Sequence, residues 1–127
     1  MRLEDAFASG ALVHPTRDAA NSVDLFRATT QLAGGPSLPQ THHSNQLVEE
    51  IGHHDHYLFV LVDGLGLSLR DRFPTGGFLE AHLKRELHSV FPSTTAVALT
   101  SLATCLWPGE HGITGWFTYF PEHQRVF

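Results

Sequence analysis

The sequence lacks the features of several large protein classes. It has a single cysteine, Cys105, so no internal disulfide can form and the redox compartment stays open. Its longest apolar run, YLFVLV at 57–62, is far shorter than the ~20 residues of a membrane-spanning helix. The N-terminus, MRLEDAFASGALVH, carries acidic residues early and has no long apolar core, unlike a secretory signal peptide. These absences predict no membrane partner and favour a cytoplasmic location.

Positive charge is also scarce. Eight Lys and Arg stand against 13 Asp and Glu, which gives a net charge of −5 with neutral histidines. No basic run or basic–aromatic stripe is present, so nucleic acid is not an expected partner. The GLG at 64–66 lacks the third glycine of a dinucleotide fingerprint, and PTGG at 74–77 lacks the lysine of a P-loop.

The composition is that of a globular chain, with 42% hydrophobic and 17% charged residues. A length of 127 residues supports one domain with one modest core. We therefore expect a single domain over residues 1–127, in which 1–20 form an N-terminal arm and 21–127 form the α/β portion.

Helical periodicity is clearest at 21–33, where Asn21 can cap the helix and Gly34-Gly35 end it. Other helical segments are expected near 47–51 with Ser44 or Asn45 as the cap, at 78–86 with Phe78, Leu79 and Leu83 inward, and at 93–107 with Val97, Leu99, Leu102, Ala103 and Leu106 buried. The segment 67–73 is expected to be helical or irregular.

Two strands are predicted between these helices. The run at 57–62 is continuously apolar, which is typical of a strand buried on both faces, and LHSVF at 87–91 is the second strand. A helical crossover between them predicts a right-handed parallel unit and hence an α/β fold. The terminal segment 116–127 is expected to form a further strand.

Polar residues follow both predicted strands. Asp63 ends the first, and Ser93, Thr94 and Thr95 begin the helix after the second. Ligands bind beyond the carboxyl ends of strands in open α/β sheets, and a helix N-terminus attracts phosphate. A hydroxyl there serves as a cap or as a nucleophile, and Asp-Gly is also a common turn pair. Spacing alone leaves these alternatives open.

The order of these motifs adds a resemblance. FVLVDGLG followed by VFPSTTAVALTSLATCLWPGEHGITG resembles the type I phosphodiesterase/nucleotide pyrophosphatase family of the alkaline phosphatase superfamily. Asp63 matches the metal-binding aspartate of that family and Thr95 matches its nucleophile. Pro108, His111, Gly112 and Ile113 match its P-x-x-H-G-I turn. The resemblance is close over 58–115 and loose over 21–119.

The resemblance implies an alkaline phosphatase-like sandwich, with a mainly parallel central sheet flanked by helices and incomplete at the C-terminus. It also implies a site with two zinc ions, one of them bound by Asp63 and Thr95. Thr95 would attack phosphorus in a phosphodiester or nucleotide pyrophosphate and form a covalent intermediate, so the expected partner is a small phosphate ester or nucleotide. Gly64 and Gly66 would give the backbone clearance near the metals.

Three departures from the family pattern keep other functions open. Trp116 stands where many members have an asparagine, and Cys105 replaces a glycine as a small buried residue. The remaining zinc ligands of the family come from motifs further downstream. We therefore expect a partial domain that is inactive alone. Its expected partner is the C-terminal remainder of the domain. The alternatives are a phosphomonoesterase or phosphonate hydrolase, or a non-catalytic remnant that binds anions or metal.

Histidine is unusually frequent for a chain of this length, with ten in the sequence. Five of these histidines cluster shortly before the first predicted strand: His42, His43, His53, His54 and His56. Clustered His and Asp can bind zinc or nickel, although sequence clustering does not show that the side chains converge, and a solvated linker is the alternative. We expect His82 and His88 to be exposed and His111 to stabilise its turn.

Overall fold

The computed structural model describes residues 2–12 and 18–127 of the chain. The described residues form six α-helices, one 3₁₀ helix and one antiparallel two-stranded hairpin. Their bounds are α1 Leu3–Ala8, α2 Ser22–Leu32, α3 His42–Ile51, the 3₁₀ helix Leu67–Arg72, α4 Phe78–His82, α5 Thr95–Thr104, α6 Pro108–His111, β1 Tyr119–Phe120 and β2 Arg125–Val126.

The start of α2 confirms the predicted cap. Asn21 Oδ1 accepts a hydrogen bond from Asp24 N (3.0 Å), and Asp24 Oδ2 accepts one from Asn21 N (3.2 Å). The same carboxylate is almost fully buried, and its Oδ1 accepts a hydrogen bond from Thr41 Oγ1 at 2.6 Å. Asp24 therefore joins the first turn of α2 to the start of α3.

Helix α3 begins earlier than its predicted position near residue 47. Its cap is Thr41, whose Oγ1 accepts a hydrogen bond from Ser44 N (3.0 Å), so the expected cap at Ser44 or Asn45 is wrong. Ser44 instead occupies the third helical position, where its Oγ accepts from Thr41 N (2.7 Å). His42 and His43 consequently lie in the first turn of α3.

The buried core joins α2 to α5. Val23, Val90 and Val97 form it, and the half-buried Ala98 and Trp107 pack against it. A second contact fixes the two helices at the other end of α5, where Arg27 Nε donates to Cys105 O at 3.0 Å. This packing positions α5 and, with it, the predicted nucleophile at its first residue.

Both predicted parallel strands differ from the structure. Residues 57–62 belong to no strand, because no neighbouring strand lies within the described residues to pair with them. Tyr57 is half-buried, and 58–62 are exposed. The segment 87–91 contributes only an isolated parallel bridge between His88 and Asn21. The terminal segment forms the β1–β2 hairpin. One hairpin and one bridge are too little sheet to test the sandwich architecture, which stays a prediction.

Several side chains expected in the interior are exposed. Phe78, Leu79 and Leu83 are all exposed. Helix α4 is only five residues long and ends at His82, before Leu83. On α5, Val97 is buried as expected, whereas Leu99 and Ala103 are exposed, Leu102 and Leu106 are half-buried, and Ser101 takes a fully buried place.

The predicted arm at 1–20 lies partly outside the described residues, and within the described part it contains α1. The boundary at residue 21 stays a prediction. None of the helices in residues 2–12 and 18–127 is long and apolar enough to cross a membrane.

Candidate active site

The two predicted site residues lie against each other in the structure. Thr95 Oγ1 donates a hydrogen bond to Asp63 Oδ2 at 3.0 Å, although 31 residues of chain separate them. Asp63 is exposed, and Thr95 is half-buried at the first position of α5. An accessible hydroxyl and a carboxylate thus meet at a helix N-terminus, where unpaired backbone N–H groups favour an anion. Their catalytic and metal-binding roles stay predictions.

Gly64 shapes the turn that presents Asp63. Its φ of +73° lies in the left-handed region that favours glycine, and Leu65 N donates back to Val62 O (3.4 Å) across the turn. A Cβ built on Gly64 meets nothing within 4 Å. The glycine is therefore needed for its backbone conformation, and the clearance near the metals stays a prediction.

The three hydroxyls before and at the start of α5 have different environments. Ser93 is exposed, while Thr94 Oγ1 is buried and has no hydrogen-bond partner among the described residues. Thr94 is the residue before the helix, yet its side chain does not cap it. Only the Thr95 hydroxyl contacts a carboxylate, which supports its choice over its two neighbours.

His111 joins the turn after α6 to the middle of α5. Its Nδ1 accepts a hydrogen bond from Ile113 N (3.1 Å), and its Nε2 lies 3.0 Å from Ser101 Oγ, which is fully buried. Because a backbone N–H can only donate, the neutral ring carries its proton on Nε2 and donates to Ser101. This agrees with a stabilising role for His111. The role of Ser101 was not anticipated.

Burial lowers the pKa of His111, and nearby Glu110 acts in the opposite direction. The folded state favours the neutral form of His111. The stabilisation from this preference is fully present above the unfolded-state pKa of about 6.5, and it is lost as pH falls through the lower pKa of the folded state. We expect His111→Gln to reduce the fall in stability between neutral and acidic pH, measured by urea unfolding. An exposed control, His53→Gln, should leave that pH dependence unchanged. Equal profiles for wild type and His111→Gln would contradict this assignment.

Cys105 is buried, as the sequence analysis expects, and ends α5 with a left-handed φ of +57°. This is the conformation that glycine adopts most readily at a helix end. Its Sγ lies 3.3 Å from Thr30 Oγ1 and 4.0 Å from Leu102 O. The thiol therefore fills an internal space beside α2.

We expect the Cys105 thiol to react with Ellman's reagent at least about a hundredfold more slowly in the folded chain than in urea, because the reagent reaches a buried sulfur only after opening of the fold. Stopped-flow absorbance measures both rates. Reaction at the unfolded rate without denaturant would show that the thiol is accessible.

The donors at the site fit a divalent cation in kind but not in number. Asp63 and Thr95 supply oxygen, which zinc accepts, but a catalytic zinc usually has three protein ligands. Among the described residues, no group of three or more His, Cys, Asp and Glu side chains has the geometry of a metal site. These two residues alone are too few to hold zinc, and the zinc site stays a prediction.

Two of the described histidines before residue 57 bond to backbone carbonyls at different places in the fold. His43 Nε2 lies 3.0 Å from Asp18 O, and His54 Nε2 lies 3.0 Å from Ile51 O. His53 and His56 are exposed.

His82 and His88 are exposed as predicted, and His82 stacks on Phe78. Trp116, at the position of the family asparagine, is also exposed.

Comparison with known proteins places this site in a family. The family model for type I phosphodiesterase / nucleotide pyrophosphatase matches residues 57–127, which include both Asp63 and Thr95. No curated protein and no solved structure matched the chain. The family match covers more than half of the sequence and supports a hydrolase of the phosphodiesterase or pyrophosphatase type. The chain belongs to the type I phosphodiesterase / nucleotide pyrophosphatase family.

Proposed function

We propose that the protein hydrolyses phosphodiester or nucleotide pyrophosphate bonds with Thr95 as nucleophile and Asp63 as its carboxylate partner. The observation that carries this proposal is the 3.0 Å contact between Thr95 Oγ1 and Asp63 Oδ2 at the start of α5. The family match supports the class of reaction. The contact supports the choice of Thr95 and Asp63 as the residues that carry it out.

The chemistry of these residues follows from their placement. Thr95 Oγ1 forms a bond to phosphorus, the bond from phosphorus to the leaving oxygen breaks, and the hydroxyl proton passes to solvent. Water then cleaves the Thr95–phosphorus bond. The N-terminal N–H groups of α5 are placed to stabilise the negative phosphoryl oxygens.

The proposal includes zinc as the cofactor, in a site to which Asp63 and Thr95 contribute. A bound zinc would supply a Lewis acid that lowers the pKa of a hydroxyl. Asp63 and Thr95 are two ligands, one fewer than a catalytic zinc usually has. We use the term ligand-complete form for the protein with all further ligands of its zinc site present.

A phosphomonoesterase or phosphonate hydrolase with the same nucleophile is the second candidate. The observation that favours it is Trp116, an exposed indole where many family members have an asparagine that binds the phosphoryl oxygens. An altered phosphate pocket changes which ester fits. Rates on a chromogenic monoester and diester, compared in the ligand-complete form, decide between the two candidates. If neither ester is cleaved, the protein is a non-catalytic module that binds anions or metal.

We expect a single copy of the 127-residue chain to retain no zinc through dialysis and to hydrolyse no phosphodiester above the rate of its Thr95→Ala variant, because Asp63 and Thr95 alone are too few ligands. Metal analysis and an assay at low protein concentration with added zinc measure both quantities. Thr95-dependent turnover under those conditions would show that other residues of the same copy complete the site.

A further inference from the structure

Asp63 and Gly64 form the one Asp-Gly pair in the chain. The other aspartates precede larger residues: Asp5, Asp18, Asp24, Asp55 and Asp71. The backbone nitrogen after an aspartate can attack the side-chain carboxyl carbon, because the bond that forms closes an unstrained five-membered ring. Glycine hinders this attack least, since it has no Cβ. The sequence therefore singles out Gly64 N as an attacking group and Asp63 Cγ as its target.

The structure leaves both reacting groups accessible. Asp63 and Gly64 are exposed. Within residues 2–12 and 18–127, the Gly64 N–H donates no hydrogen bond, so the attack breaks none. A Cβ built on Gly64 meets nothing within 4 Å, which shows that the space around this residue is open. Neither burial nor crowding protects the pair.

Few contacts restrain the turn that contains the pair. One hydrogen bond closes it, from Leu65 N to Val62 O, and its length of 3.4 Å exceeds the roughly 2.7–3.2 Å usual for such bonds. The carboxylate accepts one hydrogen bond among the described residues, from Thr95 Oγ1 to Asp63 Oδ2 at 3.0 Å. Rotation of the Asp63 backbone and side chain, which ring closure requires, therefore costs little.

We propose that Asp63 converts spontaneously to isoaspartate through a cyclic imide formed with Gly64. The carboxylate takes one proton from solvent, Gly64 N forms a bond to Asp63 Cγ, and the amide proton leaves with the carboxyl hydroxyl as water. A water molecule then adds to one of the two ring carbonyls. Cleavage between Gly64 N and Cγ restores aspartate. Cleavage between Gly64 N and the main-chain carbonyl carbon of Asp63 gives isoaspartate, with no change in mass.

The product loses the arrangement seen at the candidate site. In isoaspartate the main chain runs through Cβ and Cγ and is longer by one atom, while the free carboxylate is attached directly to Cα. The carboxylate is thus drawn back toward the main chain, away from the position where it accepts the hydrogen bond from Thr95 Oγ1. The reaction goes beyond the proposed function and does not depend on it, because it needs no substrate and no metal.

The first test is peptide mapping of the purified, metal-free chain after prolonged incubation at neutral pH. Electron-transfer fragmentation distinguishes isoaspartate from aspartate of the same mass. We expect isoaspartate at residue 63 and at least about tenfold less at the exposed Asp55 and Asp71, which precede larger residues. Equal amounts at the three positions, or none at residue 63, would overturn the proposal.

Three variants test the route through the imide. Asp63→Glu places the carboxyl carbon one bond further from the nitrogen, so isomerisation at residue 63 should fall below detection. Gly64→Ala adds a methyl group beside the attacking nitrogen and should slow the reaction about tenfold. Gly66→Ala is the matched control and should react as wild type does. Far-UV circular dichroism checks that each variant is folded. A wild-type rate in Gly64→Ala, or an isomer in Asp63→Glu, would overturn the route.

The last measurement tests what the structure contributes. Because the turn is open and held by few contacts, the folded chain should form isoaspartate at residue 63 within about tenfold of the rate in guanidinium chloride. A larger protection would show that the fold prevents ring closure, and it would overturn the proposal. All of these rates are measured without substrate. Absence of hydrolysis in every assay would therefore reject the proposed function and leave this result unaffected.

Discussion

Replacing Thr95 by valine is expected to lower kcat of the ligand-complete form by a factor on the order of 10⁴ or more. Valine keeps the shape of threonine and removes the oxygen that would bond to phosphorus, and loss of a nucleophile removes most of the rate enhancement. Because the Thr95 side chain is half-buried and its one hydrogen bond runs to exposed Asp63, stability should change little. Steady-state kinetics on a chromogenic phosphodiester measures the effect.

Thr94→Val is the matched control, since it makes the same chemical change one residue away. The Thr94 hydroxyl is buried without a partner, so its removal should leave turnover within a few-fold of wild type and should keep or raise stability. If Thr94→Val were the inactive variant and Thr95→Val the active one, the register of the F-P-x-x-T motif would have been misassigned.

Replacing Asp24 by alanine is expected to lower the free energy of unfolding by about 3 kcal/mol. The buried carboxylate accepts hydrogen bonds from Asn21 N, Asn21 Nδ2 and Thr41 Oγ1. Alanine removes these three bonds, and with them the link to α3, while the cap bond from the backbone N of residue 24 to Asn21 Oδ1 remains. A loss of this size is a large part of the 5–15 kcal/mol that is typical of a domain. Urea unfolding followed by circular dichroism measures it.

Glu49→Ala is the control for the Asp24 variant. Glu49 is an exposed carboxylate on α3, and its removal should change the unfolding free energy by less than about 0.5 kcal/mol. Equal stabilities for the two variants would show that the Asp24 link contributes nothing to the fold.

The parts of the fold that the sequence predicted depend on short-range interactions. The capping pair Asn21 and Asp24 lies within one helical turn, and the structure shows its hydrogen bonds. Helix α5 begins at Thr95 for a similar reason, since Pro92 precedes it and small apolar residues follow. Thr41 was nevertheless not predicted as the cap of α3, because Ser44 and Asn45, a few residues later, also have side chains that can cap a helix.

The predicted strands fail where the interaction is long-range. An apolar run indicates that a segment can be buried, but burial needs a partner surface, and residues 57–62 find none among the described residues. The prediction for 78–86 fails similarly, since Leu79 and Leu83 have the i, i+4 spacing of one helix face and yet both are exposed. Periodicity identifies the side of an element that is suited to burial, and tertiary contacts decide whether it is buried.

The candidate site was predictable because a motif, and not a pattern of periodicity, identifies it. Asp63 and Thr95 were selected by their resemblance to the family, and the structure places them in contact. The contact between His111 and Ser101 was not predictable in detail. A serine on the predicted apolar side of a helix was the available indication, since a buried hydroxyl needs a hydrogen-bond partner.

Mass spectrometry of the acid-quenched ligand-complete form, taken during reaction with a chromogenic phosphodiester, tests the central claim most directly. The account predicts a covalent phosphoryl or nucleotidyl adduct that fragmentation assigns to Thr95, and no adduct in the Thr95→Val variant. An adduct on Ser93 or Thr94, or unchanged turnover without any adduct in Thr95→Val, would contradict it.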